Sequence, residues 1–372
     1  MIKIKDTFLA LTNRRYPMGS EDLAMDIVKD KLPKIKFEKD EFNNYYTYLP
    51  KADGSDSDTM FTSHLDTINN GPGGYNHGKK WNIKTNKYII DPSVDSDDMF
   101  VKHVIDGDFV KTNGETNLGA DDKAGTVIMM NMISENIPGL YYFFMGEESG
   151  CVGSSSLSRV FDSKEHPTMN KCISFDRRGY DSIITEQSGV CSSNDFAKEL
   201  ANRFNEYGFW FKPDPTGVYT DSAEFTDVIA ECSNISCGYF SEHTKSEKQD
   251  LEFLELLGIV CTQIEWETLP IIRNKDSVYT GKKSKSYTNR GYGYGGGGWC
   301  DDEWYGDDCG GGGCGGYYNN HDANRSNNNS TPNGKLYKDK GNGDLVDISI
   351  TKSDFDFDQW YGEQKTKSWE TS

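Results

Sequence analysis

Near the amino terminus apolar residues recur at helical spacing twice. Residues 1–11 read as a short amphipathic helix, and Ser20 followed by Glu21, Leu23, Ala24, Ile27 and Val28 reads as an N-cap with a second helix behind it. The pattern then shifts to short apolar runs bounded by turn residues, at 34–37, 45–49 and 59–62, which predict strands. Residues 69–98, rich in Gly, Asn, Asp and Pro, predict a long irregular excursion with room for one hairpin, and 101–110 predict further strands. From Lys123 the period is helical again, with Ala124, Val127, Ile128 and Met132 on one face. Strands are expected at 140–145, 172–175, 182–185, 209–211 and 235–240, and helices at 154–161, after Ser193 (Phe196, Leu200, Phe204), at 222–230 and at 248–266. Strands alternating with helices predict an α/β fold: a three-layer sandwich around a mixed, largely parallel central sheet.

Beyond residue 276 aliphatic residues nearly vanish and Gly, Tyr, Asn, Ser and Asp take over. The expected organisation is therefore a core-forming domain at 1–276, a Gly/Tyr/Asn-rich low-complexity linker at 277–335 and a short carboxy-terminal segment at 336–372. The formal net charge of -19 is carried almost wholly by the first of these. Such acidity argues against binding nucleic acid through its phosphates and against docking on anionic membranes. Nine cysteines, odd in number and without a regular framework, suit a reducing compartment, and no signal peptide or span-length apolar run is present, so a cytoplasmic location is expected.

In open α/β sheets ligands collect beyond the carboxyl ends of the strands. Here strand-like runs end in HLD (His64 to Asp66), GEE (ending at Glu147 and Glu148), SFD (ending at Asp176) and SEH (ending at His243), and the pair Asp121 and Asp122 opens a helix in LGADDKAG. Imidazole and carboxylate ligands suit zinc, and a carboxylate with two oxygens can bridge two ions. Residues i and i+2 share one face of a strand, so Asp66 is placed to accept the second ring N–H of His64. Adjacent Glu147 and Glu148 can divide the labour, one ligating while the other moves a proton. The remaining histidines, His77, His103, His166 and His321, have no such context and read as surface or loop residues.

HLDT, GADDKAG, GEESGCVGS, SFD and EHT, in this order, resemble the sequential motifs of the dinuclear zinc exopeptidases, the family of tripeptide and leucyl aminopeptidases. The resemblance covers roughly residues 6–269 and implies two divalent cations, Zn2+ or alternatively Co2+ or Mn2+. Asp121 would bridge them, His64 and Asp176 would complete one site, and Glu148 and His243 the other. Glu147 would be the general base and Asp66 the partner behind His64. It also implies a cis peptide between Asp121 and Asp122. Some relatives insert a lid or dimerisation domain between the counterparts of Asp176 and His243; the interval here is too short for one.

The implied activity is that of an exopeptidase, an aminopeptidase in the first instance, hydrolysing peptide bonds with a metal-activated water. A carboxypeptidase or an N-acyl amino acid or peptide deacylase would use the same site. A non-catalytic binding protein that keeps the fold is the alternative of another class. Arg177 and Arg178 could bind a substrate carboxylate or form surface ion pairs. In VYTDSAEF, Tyr219, Thr220 and Asp221 could stand beside the substrate, or Asp221 could cap the helix that follows. Cys300, Cys309 and Cys314 lack the paired spacing of a zinc module, and the carboxy-terminal FDFDQWYG reads as a docking peptide for an unidentified protein partner.

Overall fold

The structure, a computed structural model, describes residues 1–68, 99–164 and 166–275 in full, together with the backbone of four further strands. Helices α1 (Ile4–Leu11) and α2 (Glu21–Lys31) precede strands β1 (Glu38–Lys39), β2 (Tyr45–Leu49) and β3 (Thr59–His64). Within the expected excursion, β4 (Lys79–Asn82) and β5 (Lys87–Ile90) form an antiparallel hairpin; its other residues lie outside the described set. A second hairpin, β6 (His103–Asp106) and β7 (Phe109–Thr112), leads to α3 (Ala120–Ser134), β8 (Gly139–Phe144), α4 (Val152–Ser158), β9 (Lys171–Arg177) and β10 (Ser182–Ile184). Then follow α5 (Asn194–Asn205), β11 (Lys212–Asp214), β12 (Glu231–Ser236), β13 (Tyr239–Phe240), β14 (Lys248–Asp250) and α6 (Leu251–Val260).

Eight strands form the central sheet in the order β1-β2-β8-β3-β9-β12-β10-β11. Its middle, β8-β3-β9-β12, is parallel, while β2 and β10 run antiparallel to their inner neighbours. Both faces are covered, so β3, β8 and β12 are buried at every position, even where β12 carries polar residues. Alternation along the strands divides them: Met60, Leu140, Tyr142, Phe144 and Cys172 face a cluster with Leu157, Phe161 and Phe225. On the other face Phe61 and Phe175 pack on Trp266, with rings 5.0 Å and 6.2 Å away. Helix α3 is buried from Ala120 to Ile133, its polar residues Asp121, Asp122, Lys123, Thr126 and Asn131 included. A smaller antiparallel sheet, β13-β14-β7-β6, stands beside the central one.

Several expected elements shift. The strand expected at 34–37 is instead the two-residue β1. Phe209 and Phe211 are buried by packing on Phe204, and the pairing strand, β11, begins one residue later. The helix expected at 222–230 reduces to a single 3-10 turn, Asp221–Phe225. The run 235–240 breaks at Gly238, whose φ of +81° is open mainly to glycine, so β12 and β13 belong to different sheets. The long helix expected at 248–266 is the shorter α6, because residues 248–250 pair with β13 and β7 and the Asp250 carboxylate then caps the helix by accepting the Phe253 N–H at 3.0 Å. Ser193 caps α5 in the same way, as its sequence predicts.

The chain divides into two units, Met1–Cys314 and Gly315–Ser372. In the second, β15 (Tyr337–Asp339) pairs antiparallel with β16 (Leu345–Asp347). The expected boundaries at 276 and 335, the tail cysteines and FDFDQWYG lie outside the described residues. No helix among the described residues is long and apolar enough to cross a membrane.

Candidate metal centre

Five stretches of chain converge beyond the carboxyl ends of the central parallel strands. β3 ends in His64, β9 carries Asp176 near its end, and β8 is followed by Gly146 in the left-handed region and a 3-10 turn, Glu147–Ser149, that presents both glutamates. Asp121 enters at the start of α3. There Gly119 has φ +79°, and Asp121 and Asp122 depart from helical dihedrals; the Asp121-Asp122 peptide is cis. His243 arrives from the turn between β13 and β14, in the smaller sheet rather than at the end of a central strand as the sequence suggested.

The two oxygens of Asp121 face opposite ways. Oδ1 lies 3.0 Å from His64 Nε2, and Oδ2 lies 3.1 Å from His243 Nε2. His64 Nε2 is also 3.8 Å from Asp176 Oδ1, and His243 Nε2 is 3.0 Å from Glu148 Oε2. Two donor sets result, His64 with Asp121 and Asp176, and Asp121 with Glu148 and His243; in each the ligand atoms lie within 4.8 Å of one another, and Asp121 is common to both. The chemistry of these sets fits divalent cations, imidazole nitrogen and carboxylate oxygen with one bridging carboxylate. A further sign is Glu148 Oε1, buried with no hydrogen-bond partner among the described residues, a costly state for a carboxylate oxygen unless a cation faces it.

Electrostatics point the same way. Burial alone would lower the pKa of His64, but Asp121, Asp176 and Asp66 hold it well above its ordinary value. His243 is pushed up to about 12 against its own burial by hydrogen bonds to Asp121 and Glu148. Burial would raise Asp121, and its bonds to the two histidines overcome this and lower it. Burial raises Glu148 to about 7, with the Asp121 charge adding to the effect. Glu147 belongs to neither donor set. Burial raises its pKa well above the ordinary range, and its Oε2 stands 4.0 Å from His64 Nε2.

Supporting contacts explain how the cluster is held. Asp66 does more than the sequence suggests: its carboxylate accepts the backbone N–H groups of Glu147 at 3.0 Å and Glu148 at 3.2 Å. His64 Nδ1 lies 3.1 Å from the Asp66 carbonyl oxygen and 3.4 Å from its carboxylate, so the ring is oriented chiefly through the backbone. Asp176 receives the hydroxyls of Thr220 and, at 3.1 Å, Tyr239. Asp122, fully buried, accepts the N–H groups of His64 at 3.2 Å and Gly125 at 3.0 Å.

A cleft lined by Asp121, Glu147, Asp176, Arg177, Arg178, Val218, Tyr219, Thr220, Glu242 and His243 opens over the cluster. Both arginines reach it already engaged: Arg177 donates to the Thr216 carbonyl at 3.1 Å, and Arg178 to Glu242 at 2.8 Å. Tyr219 stands on the cleft wall. Asp221 does not cap the following turn; Thr220 occupies that position, and the buried Asp221 carboxylate accepts the Ser154 hydroxyl instead. His103 is tied to the Thr12 carbonyl and His166 packs tilted against the Phe161 ring, while His77 and His321 lie outside the described residues. The sequence pointed to Thr220 as a substrate neighbour and to Asp122 as the partner of Asp121, not to the hydrogen bonds they make; it missed Tyr239 and, above all, Glu247, which accepts three backbone N–H groups at the start of α3. The cue for it was HTKSE, a glutamate four residues past His243.

No family profile matches the chain. Among curated proteins, YqjE of Bacillus subtilis strain 168, uncharacterised, is 37% identical over 111 residues, 28% of this chain and 23% of its own length. The match thus spans about a quarter of that relative. Among solved structures, the aminopeptidase PepT of Bacillus cereus ATCC 10987 superposes with a TM-score of 0.52 at 16% identity, over 70% of this chain and 96% of its own. A tripeptidase of Staphylococcus aureus subsp. aureus Mu50 gives 0.52 at 16% identity, over 70% and 96%. The TET1 peptidase of Pyrococcus horikoshii gives 0.51 at 15% identity, over 70% and 98%. The chain has the α/β fold of these peptidases.

Proposed function

We propose that this protein is a dinuclear metal-dependent exopeptidase of the zinc exopeptidase family, acting as an aminopeptidase. The observation that carries the reading is the shared carboxylate: Asp121 turns one oxygen to each of two donor sets, while Glu147 stands beside them and in neither. His64, Asp121 and Asp176 would hold one ion, and Asp121, Glu148 and His243 the other; zinc fits this donor chemistry best, with Co2+ or Mn2+ as substitutes. When bound, such a pair supplies Lewis-acid polarisation of a carbonyl and lowers the pKa of water.

The chain's own residues do the rest. Glu147, which lines the cleft and belongs to neither donor set, takes the proton of the attacking water on its carboxylate and returns it to the leaving amine. Asp66 fixes the backbone that carries both glutamates, so proton transfer and ligation keep separate geometries. Thr220 and Tyr239 hold the Asp176 carboxylate in one orientation. End specificity follows from how the cleft wall is paired. Arg178 is paired with Glu242, and Arg177 with the Thr216 carbonyl and, at 3.8 Å, Asp214, so both guanidinium groups are already engaged, which supports recognition of a free ammonium over a free carboxylate.

A panel of short peptides tests this on the zinc-loaded full-length protein. Peptides with a free amino terminus and an amidated carboxyl terminus should be cleaved, and N-acetylated ones should not. Cleavage only of peptides with a free carboxylate would assign a carboxypeptidase, release of the acyl group a deacylase, and no turnover by a fully loaded protein a binding function.

A further inference from the structure

Glu247 touches none of the side chains that make up the two donor sets, yet it joins the turns that carry two of them. Its side chain is 1% exposed. Oε2 accepts the Leu118 and Gly119 N–H groups, each at 2.8 Å, and Oε1 accepts the Asp121 N–H at 3.1 Å. We propose that Glu247 is a positioning residue that preorganises Asp121 for metal, by clamping the turn before α3 to the turn that presents His243; the proposal rests on the metal-centre reading above.

The backbone argument comes first. With Gly119 left-handed and Asp121 and Asp122 off helical dihedrals, the opening of α3 cannot secure its N–H groups by regular helix geometry. Those N–H groups are buried, and a buried donor without an acceptor costs roughly 1–3 kcal/mol. One carboxylate serves three of them.

Location supplies the second part. Glu247 closes the turn that holds His243, its own N–H donating to the Thr244 carbonyl at 3.3 Å, and it leads directly into β14, which pairs with β13 and β7. A ligand-bearing turn with His243 at φ +61° is thereby tied to the ligand 3.1 Å away from it. The role requires a carboxylate. All three partners are donors, so an amide of the same size would set its own N–H2 against a backbone N–H.

Glu247→Gln is therefore the informative variant. In the full-length protein, stripped with a chelator and titrated with Zn2+ against a chromophoric competitor, the parent should take up two ions. Glu247→Gln should remain folded by circular dichroism and bind with an affinity lower by roughly 10- to 100-fold, the range for loss of a group that orients a ligand. Its Co2+ form at saturation should show a shifted visible band, a change in ligand geometry that a purely structural role would not produce. Hydrogen exchange on the parent gives a check that needs no variant: the Leu118, Gly119 and Asp121 amides should be protected before metal is added. Parental affinity and an unshifted cobalt band in a folded Glu247→Gln would overturn the proposal, as would free exchange of those three amides. A parent that takes up no ion would overturn the metal-centre reading and this proposal with it.

Discussion

Two adjacent glutamates given different environments divide ligation from proton transfer. Glu148 turns one oxygen to His243 and buries the other, whereas Glu147 faces the cleft and receives the Cys151 thiol at 3.5 Å. Glu147→Gln preserves shape and the Asp66 contact to the backbone, so metal content by elemental analysis should match the parent. An amide cannot accept and return a proton, so turnover of a good peptide substrate should fall by roughly 10²- to 10⁴-fold. A variant with parental turnover would remove Glu147 from the chemistry. The residues drawn together here were legible because each is a ligand type in an ordered motif, at the end of a strand for His64 and Asp176, just beyond one for Glu148 and at the opening of a helix for Asp121. Glu247 and Tyr239 were not, since a residue that acts by accepting a backbone N–H or orienting a carboxylate leaves no periodic signature, and its partners are distant in sequence.

At the scale of elements, the contact between α3 and β9 places Asp121 beside Asp176. Gly125 allows it. A Cβ there would lie 2.3 Å from the Phe175 carbonyl oxygen and 2.6 Å from the Asp122 carboxylate, and neither can move without shifting β9 or the turn before it. In an ordinary helix Gly→Ala stabilises by up to about 1 kcal/mol. Here the sign should reverse, with Gly125→Ala destabilising by about 1–3 kcal/mol, read as a lower denaturant midpoint at unchanged slope. A raised midpoint would mean that the packing is looser than described. The same close packing explains which elements sequence could locate. Strands β2, β3, β8 and β9 were found where they are because both faces of the sheet are buried, whereas β12 and β13 were merged because Gly238 looked like one more residue of an apolar run. The helix expected from residue 248 was overextended because its amino-terminal residues are as compatible with a strand, and only pairing with β7 and β13 decides.

At the scale of the molecule, the acidic balance becomes intelligible. Four carboxylates, Asp121, Glu147, Glu148 and Asp176, crowd one site beneath a cleft whose two arginines are already engaged with Thr216 and Glu242. Mutual repulsion of that size is tolerated in a fold when cations offset it. The order of the motifs along the chain disclosed this arrangement better than net charge did, since many acidic proteins bind no metal. The most direct measurement of the central claim is anomalous scattering at the zinc edge from crystals of the zinc-loaded full-length protein. Two peaks roughly 3.5–4 Å apart, one on each side of the Asp121 carboxylate, are the expected result. A single peak away from Asp121, or none, would contradict it.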